Sequence, residues 1–183
     1  MKMSIARAAE ILLGGGIVAT PTEGVFGLSC MPDEPAALLR LLAIKRRDPS
    51  KGLILIGSSR EQFAPWLDAS APRIPDPDPA QPTTWIVTTA AGVSRLLRGD
   101  HQSLAVRITT NPVARALCDA VDSPLVSTSA NVAGGPTARN RFVLRRKFAA
   151  CVDYILPGDC GPASGPSEIR DLQTGDIIRP RSQ

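Results

Sequence analysis

The sequence is poor in the side chains that usually bind metals or act as nucleophiles. It has one histidine, His101, and four cysteines without a CxxC spacing. A zinc site built from several imidazoles is therefore excluded, and a thiolate would lack its usual base. We expect no protein-held metal, a surface or turn position for His101, and reduced, structural cysteines at Cys30, Cys118, Cys151 and Cys160.

Long apolar runs and nucleotide-binding fingerprints are also missing. No stretch approaches the roughly 20 apolar residues of a membrane span, and Glu10 and three glycines interrupt the apolar start of the chain, unlike a signal peptide. We expect a cytoplasmic protein without a membrane partner. Neither GxxxxGK[ST] nor GxGxxG occurs, which excludes a P-loop and the common dinucleotide fingerprint.

The composition is that of an ordinary globular domain. The 183 residues are 43% apolar, 21% charged and 4% aromatic, which fits one domain over residues 1–183. Strands alternate with helices in the first two thirds and pair locally at the end. The predicted fold is therefore α/β, a single domain with a twisted, mixed β-sheet flanked by helices.

The local signals predict the following elements. A first helix is capped by Ser4 and ends at the glycines from Gly14; a second is capped by Asp33; a third begins at Asn111-Pro112. Residues 21–30 and the proline-rich segment 65–82 are predicted as loops, and a last helix covers the basic segment near 141–151. Strands are predicted at 17–20, 53–56, 83–89, 104–108, 125–126, 154–156, 169–172 and 177–179, the last two as a hairpin.

Polar residues stand at the ends of three of these elements, where α/β proteins often bind ligands. They are the PTEG loop with Thr22 and Glu23, the cluster Lys45 to Arg47, and the STSAN loop. Each has a structural explanation: a turn or cap pair, cations that complement a helix dipole, and a self-bonded turn. Together, cations, hydroxyls and backbone N–H groups suit a polyphosphate or carboxylate ligand. Arg107, opposite the aliphatic row of its strand, is a further candidate.

The positive charge is concentrated in residues 139–147, RNRFVLRRK. These hold five of the 21 basic residues, and without them acidic residues outnumber basic ones by one. With Phe142 and Phe148 nearby, the segment could be a nucleic-acid surface. A solvated helix face is the alternative. The cations in question are Arg139, Arg141, Arg145, Arg146 and Lys147.

Four segments, in this order, resemble the single-domain YrdC-like family, the bacterial threonylcarbamoyl-AMP synthases. They are AIKRRDPSKGLILI, SLAVRIT, PLVSTSAN and the closing IRDLQTG...IRP, and the resemblance extends over roughly positions 5 to 181. It implies a YrdC-like fold with a concave cleft. The KxR element of the family falls on Lys45 and Arg47, and its SxN element on Ser129 and Asn131.

The resemblance also implies a reaction. L-threonine, bicarbonate or CO2, and ATP, with Mg2+ carried by the ATP phosphates, would give threonylcarbamoyl-adenylate and pyrophosphate. The product would serve the modification of a tRNA adenosine by a tRNA threonylcarbamoyl-transferase complex. Lys45 and Arg47 would hold the phosphates, while Ser129 and Asn131 would bond the nucleotide. The remaining implied substrate contacts are Thr22, Thr84, Ser167 and Arg179, with Arg107 as a carboxylate clamp.

Other functions stay open at the level of sequence. One is a non-catalytic RNA- or tRNA-binding module of the same fold, with possible tRNA contact through the five cations of residues 139–147. Another is transfer from a different carbamoyl compound. The chain also departs from the usual pattern of relatives at Gly24, Ser29, Asp48 and Glu168.

Overall fold

The structure, a computed structural model, describes residues 1–132, 134–163, 165 and 167–180. Its helices are α1 (Lys2–Leu13), α2 (Pro35–Lys45), α3 (Arg95–Arg98), α4 (Pro112–Ala120) and α5 (Arg141–Phe148). Its strands are β1 (Val18–Pro21), β2 (Phe26–Cys30), β3 (Ile54–Gly57), β4 (Thr83–Thr88), β5 (Ser103–Ile108), β6 (Leu125–Ser129), β7 (Tyr154–Ile155), β8 (Glu168–Asp171) and β9 (Ile177–Arg179). Short 3-10 helices span Pro49–Lys51 and Glu61–Trp66.

The nine strands of the described residues form one sheet, in the order β7-β1-β2-β6-β3-β5-β4-β8-β9. The pairs β1–β7, β3–β5 and β4–β8 are parallel, and the other neighbours are antiparallel. The predicted mixed sheet is confirmed. The hairpin predicted near the end of the chain is confirmed as well, because β8 and β9 pair antiparallel.

Helices cover both faces of this sheet. In β3, Leu55 packs into a cluster that includes Leu38 of α2 and Phe148 of α5. Its neighbour Ile56 packs into a second cluster with Leu117 of α4 and residues of α1. Because successive side chains of a strand point to opposite faces, the two clusters lie on opposite sides of the sheet. The expected arrangement of a sheet flanked by helices is thus confirmed.

Two predicted helix caps are wrong. Ser4 lies inside α1, whose N-cap is Met1. The N-cap of α2 is Glu34, without a side-chain capping bond, and Pro35 follows it in the first turn. Proline needs no hydrogen-bond acceptor there, so it defines the start of the helix without a cap from Asp33. Asn111, in contrast, caps α4 as predicted, since its Oδ1 accepts from the amides of Val113 and Ala114.

The prediction of a loop over residues 21–30 is wrong for its second half. Residues Phe26–Cys30 form β2, a fully buried strand between β1 and β6. The local sequence, with Gly27 and Ser29, has little strand character. Pairing on both sides and burial on both faces outweigh that weak propensity. Among the described residues, no helix combines the length and the apolar character needed to cross a membrane.

Candidate active site

A cleft of about 380 Å³ lies on the face of the sheet shared with α1 and α4. Strand β5 forms the floor of this cleft. Leu104, Val106 and Ile108 are buried on the α2 side, as the alternation predicted. Ser103, Ala105 and Arg107 line the cleft on the other side. Further lining residues come from β2, β3, β4, β6, β8 and β9, so the cleft extends over most of the width of the sheet.

The two cations of the KxR element, Lys45 and Arg47, point in different directions at the end of α2. Arg46 takes a left-handed conformation with φ of 49° and ends the helix. Lys45, only 2% exposed, points to the loop after β6. Arg47 instead lines the cleft, where its Nη2 donates to the carbonyl of Gly52 at 2.9 Å. The left-handed conformation at Arg46 therefore directs Lys45 to the loop after β6 and Arg47 into the cleft.

Lys45 joins the KxR and SxN elements. Its Nζ donates to the carbonyl oxygens of Ser129 and Asn131, the latter at 2.9 Å, and to Oδ1 of Asn131 at 3.0 Å. Ser129 Oγ donates to the same Oδ1 at 2.7 Å, and Asn131 Nδ2 donates to the carbonyl of Gly135. Burial lowers the pKa of Lys45 to about 8, and nearby Arg47 acts in the same direction. Ser129 lines the cleft, whereas Lys45 and Asn131 lie behind it.

The opposite wall is a second hydrogen-bonded group. Thr84 and Ser167 share a hydrogen bond of 2.7 Å between their hydroxyls. Arg107 Nη1 donates to Ser167 Oγ at 3.0 Å, and Arg179 Nη2 donates to the Ser167 carbonyl at 2.8 Å. Four predicted site residues, from β4, β5, β9 and the position just before β8, thus lie together. Arg107, Ser167 and Arg179 line the cleft, and Thr84 supports them from behind.

The PTEG loop closes one end of the cleft. Thr22 lines it, with its Oγ1 donating to the carbonyl of Val25 at 2.7 Å. Glu23 also lines it and forms a buried ion pair with Arg107, at 3.2 Å between Oε2 and Nη2. Burial raises the pKa of Glu23, but the charge of Arg107 and the hydrogen bonds from Thr109 and Thr110 outweigh it, so that this pKa lies below its ordinary value.

The cleft is strongly cationic. Its lining includes Arg47, Lys51, Arg98, Arg107 and Arg179, and Glu23 is the one acidic side chain among the lining residues that the structure describes. Burial lowers the pKa of Arg179, and the positive charges of Arg107 and Arg47 lower it further. Arg47 and Arg107, from distant parts of the chain, therefore both repel Arg179 within a single cavity. Such an arrangement suits an anionic ligand, which would relieve the repulsion.

Sequence reasoning missed several of these residues. Lys51, Arg98 and His101 line the cleft, although His101 is exposed in a bend, as predicted. The sequence places Glu23 in one of the three polar elements, either as a turn or cap residue or as part of a ligand site, but does not predict its pairing with Arg107. The signal available for Glu23 was its place beside Thr22, in a loop expected to bind a ligand. A carboxylate buried beside such a loop needs a cationic partner. Nothing in the local sequence indicates that Arg98 reaches the cleft.

Three of the four departures from the usual pattern have local explanations. A Cβ at Gly24 would lie 2.5 Å from the carbonyl oxygen of Ala163, so the backbone there leaves no room for a side chain. Asp48 is exposed and caps the 3-10 turn through the amide of Ser50. Glu168 pairs with Arg170. Ser29 is fully buried within β2.

The basic segment lies apart from the cleft lining. Arg139, Arg141, Arg145, Arg146 and Lys147 are all exposed, and within the described part of the chain their side chains form no ion pair or hydrogen bond. Leu144 and Phe148 anchor α5 in the core, while Phe142 is 87% exposed among the cations.

A family model named Sua5_yciO_yrdC, described as telomere recombination, matches residues 10–181. The chain belongs to the Sua5/YciO/YrdC family. It is 47% identical over 179 residues to a Threonylcarbamoyl-AMP synthase of Chromohalobacter salexigens, with 96% of both chains covered. It is 42% identical over 187 residues to one of Xanthomonas euvesicatoria, with 97% of both covered.

Solved structures of the same family share the fold. A crystal structure of P. abyssi Sua5 complexed with L-threonine matches with a TM-score of 0.85 and 25% identity. The match covers 97% of this chain but 54% of the other, so the chain spans about half the length of that Sua5. E. coli YciO matches with a TM-score of 0.82 and 24% identity, over 99% of this chain and 90% of the other. The predicted YrdC-like α/β fold is thereby confirmed.

Proposed function

We propose that the chain is a threonylcarbamoyl-AMP synthase, a nucleotidyltransferase acting on L-threonine, bicarbonate or CO2, and ATP. The observation that carries this proposal is the convergence of Arg47, Arg107 and Arg179 on one cleft. Relatives that align over 96–97% of the chain carry the name of this synthase. They support the catalytic function over a non-catalytic RNA-binding one.

The chemistry needs positioning and charge neutralisation rather than a nucleophilic side chain. The threonine amine and CO2 give a carbamate and release a proton. A carbamate oxygen then attacks the α-phosphorus of ATP, the α–β phosphoanhydride bond breaks, and pyrophosphate leaves. Nucleophile and target are both anions, so cations that hold them together lower the barrier. Arg47 and Arg179, in the cleft lining, would bind the phosphates.

The SxN loop would hold the nucleotide. Ser129 reaches the cleft, and Lys45 fixes the loop from behind through both carbonyls and the Asn131 amide oxygen. Direct contact of Lys45 with phosphate stays a prediction; it requires Nζ to exchange one of its present acceptors for a phosphate oxygen. Thr22 and Arg107 would serve the amino-acid side, with Thr84 and Ser167 holding Arg107 in place.

Mg2+ would arrive with ATP as part of the substrate. The described residues contain no cluster of three or more His, Cys, Asp or Glu side chains suited to a metal ion. The acidic side chain of the cleft, Glu23, is engaged by Arg107, the Thr109 hydroxyl and the Thr110 amide. Phosphate oxygens are therefore the ligands left for the ion.

The decisive experiment is pyrophosphate release by the purified protein. With L-threonine, bicarbonate, ATP and Mg2+ together we expect steady release, and omission of any one should abolish it. Release that continues without threonine would contradict the proposal. L-serine in place of threonine is a useful comparison, since loss of one methyl group costs only about 1 kcal/mol or a little more in a pocket.

The exposed surface of α5 would bind tRNA, the acceptor of the threonylcarbamoyl group. The exposed cations Arg145, Arg146 and Lys147, with Phe142 between them and Arg141, suit the phosphates and bases of tRNA. We include tRNA contact at α5 and delivery of the adenylate to a tRNA threonylcarbamoyl-transferase complex in the proposal. The cytoplasmic location expected from the sequence also stays a prediction.

A further inference from the structure

The buried ion pair between Glu23 and Arg107 has two atoms without a hydrogen bond. The two side chains are 7% and 11% exposed, respectively. Glu23 Oε2 and Arg107 Nε are buried and have no hydrogen-bond partner among the described residues. Buried donors without a partner are rare in folded proteins. Both residues line the cleft, so this incompletely bonded pair lies beside the space that a ligand would occupy.

The surroundings hold Glu23 in one position. Its Oε1 accepts from Thr109 Oγ1 at 2.6 Å and from the Thr110 amide at 2.9 Å. Its backbone carbonyl accepts from the amide of Ala163. The carboxylate is therefore fixed by the segment that follows β5, the strand that carries Arg107.

Arg107 is held at both terminal nitrogens. Nη1 donates to Ser167 Oγ, and Nη2 faces Glu23 Oε2. These contacts fix the plane of the guanidinium at the wall of the cleft. A guanidinium held in this way binds a carboxylate with less loss of conformational freedom than a free one does.

We propose that Glu23 is a positioning residue of the amino-acid subsite, orienting the guanidinium of Arg107 for the carboxylate of the amino-acid substrate. This inference rests on the proposed function. Glu23 acts through Arg107, and its loss would weaken binding of the amino acid rather than of ATP. The other cleft cations, Arg47 and Arg179, are not bonded to Glu23.

Calorimetric binding of two probes tests the role of the carboxylate. L-threonine and 1-aminopropan-2-ol share the amine and hydroxyl, but the second lacks the carboxylate. For Glu23→Gln we expect L-threonine to bind about tenfold more weakly, as for loss of one well-oriented charge-assisted bond, while 1-aminopropan-2-ol binds as to the wild type. The KM for ATP should stay within about twofold, since uniform binding of ATP is not altered.

A double-mutant comparison tests whether Glu23 acts through Arg107. If it does, Glu23→Gln combined with Arg107→Met should bind L-threonine no more weakly than Arg107→Met alone. Thr109→Val, which removes one bond to Glu23 without changing charge, should cause a smaller loss in the same direction. Asp153→Asn is the matched control, because it breaks the Arg40–Asp153 ion pair away from the cleft; its melting temperature should fall while threonine affinity stays unchanged.

The outcomes separate the two proposals. Unchanged threonine affinity in Glu23→Gln, or equal weakening of both probes, would overturn the positioning role while leaving the synthase function intact. If the wild type binds threonine with the expected dependence on Glu23 but releases no pyrophosphate, the synthase function fails and the positioning role stands. A wild type that binds no threonine would overturn both.

Discussion

The ammonium of Lys45 and the amide oxygen of Asn131 lie 3.0 Å apart, although 86 positions separate them in the chain. This contact joins the KxR and SxN elements, which lie far apart in the sequence. Lys45 comes from the end of α2 and Asn131 from the loop after β6, beside Ser129 of the cleft lining. The geometry of the nucleotide side of the cleft therefore depends on a buried lysine that does not itself line it.

Replacement of Lys45 should affect both stability and catalysis. Lys45→Met removes the ammonium that donates to three oxygen atoms of the SxN loop, so we expect the free energy of unfolding in urea to fall by about 1–3 kcal/mol. Pyrophosphate release should fall roughly 100-fold, as for loss of a preorganised donor. Lys2→Met, an exposed change on α1, is the control. Wild-type release by Lys45→Met would contradict the role of this contact.

Replacement of Arg47 should act mainly on the phosphates. Arg47→Gln removes one positive charge from the cleft. We expect kcat/KM for ATP to fall by roughly 100-fold, with a smaller effect on threonine affinity. The neighbouring Arg46→Gln removes an exposed charge outside the cleft lining and is a matched control. Steady-state kinetics with each substrate varied in turn measure both. Equal losses in the two variants would indicate a nonspecific charge effect instead.

The pH dependence should report the titration of Lys45. Its pKa is about 8 in the folded protein against 10.5 ordinarily, so between these values the native state binds fewer protons than the unfolded state. Unfolding free energy should therefore rise with pH across this window in the wild type relative to Lys45→Met. Pyrophosphate release should decline above about pH 8 as the charge that holds the SxN loop is lost. Carbon-13 NMR of the lysine ε-carbons gives the titration directly, and a midpoint near 10.5 would contradict it.

The exposed cations of α5 should affect tRNA binding but not catalysis. Changing Arg145, Arg146 and Lys147 to glutamine should weaken tRNA binding and reduce the slope of log affinity against log salt by about 1 for each lost phosphate contact. Pyrophosphate release without tRNA should be unchanged. A variant with Lys2, Arg7 and Arg73 changed to glutamine loses the same charge elsewhere on the surface. If both variants weaken tRNA binding equally, α5 has no special role.

The sequence by itself determined the parts of the fold that depend on neighbouring residues. Asn111 and Pro112 define the start of α4 because a cap and a proline act within one turn. The alternation in β5 places Arg107 opposite Leu104 and Val106 because side chains of a strand alternate. Strand β2 could not be predicted in this way, since its stability comes from its two neighbours in the sheet rather than from its own residues.

The tertiary structure alone decided which polar residues share the cleft. The sequence marks Lys45, Arg47, Ser129 and Asn131 as candidates, but only the sheet order brings α2 to the loop after β6. The pairing of Glu23 with Arg107 likewise joins the loop after β1 to β5, with three strands between them in the sheet, and has no local signal. Contacts between distant residues follow from strand order and register, which are set by burial of the whole core. That is why the candidate residues could be predicted from the sequence, but not their partners.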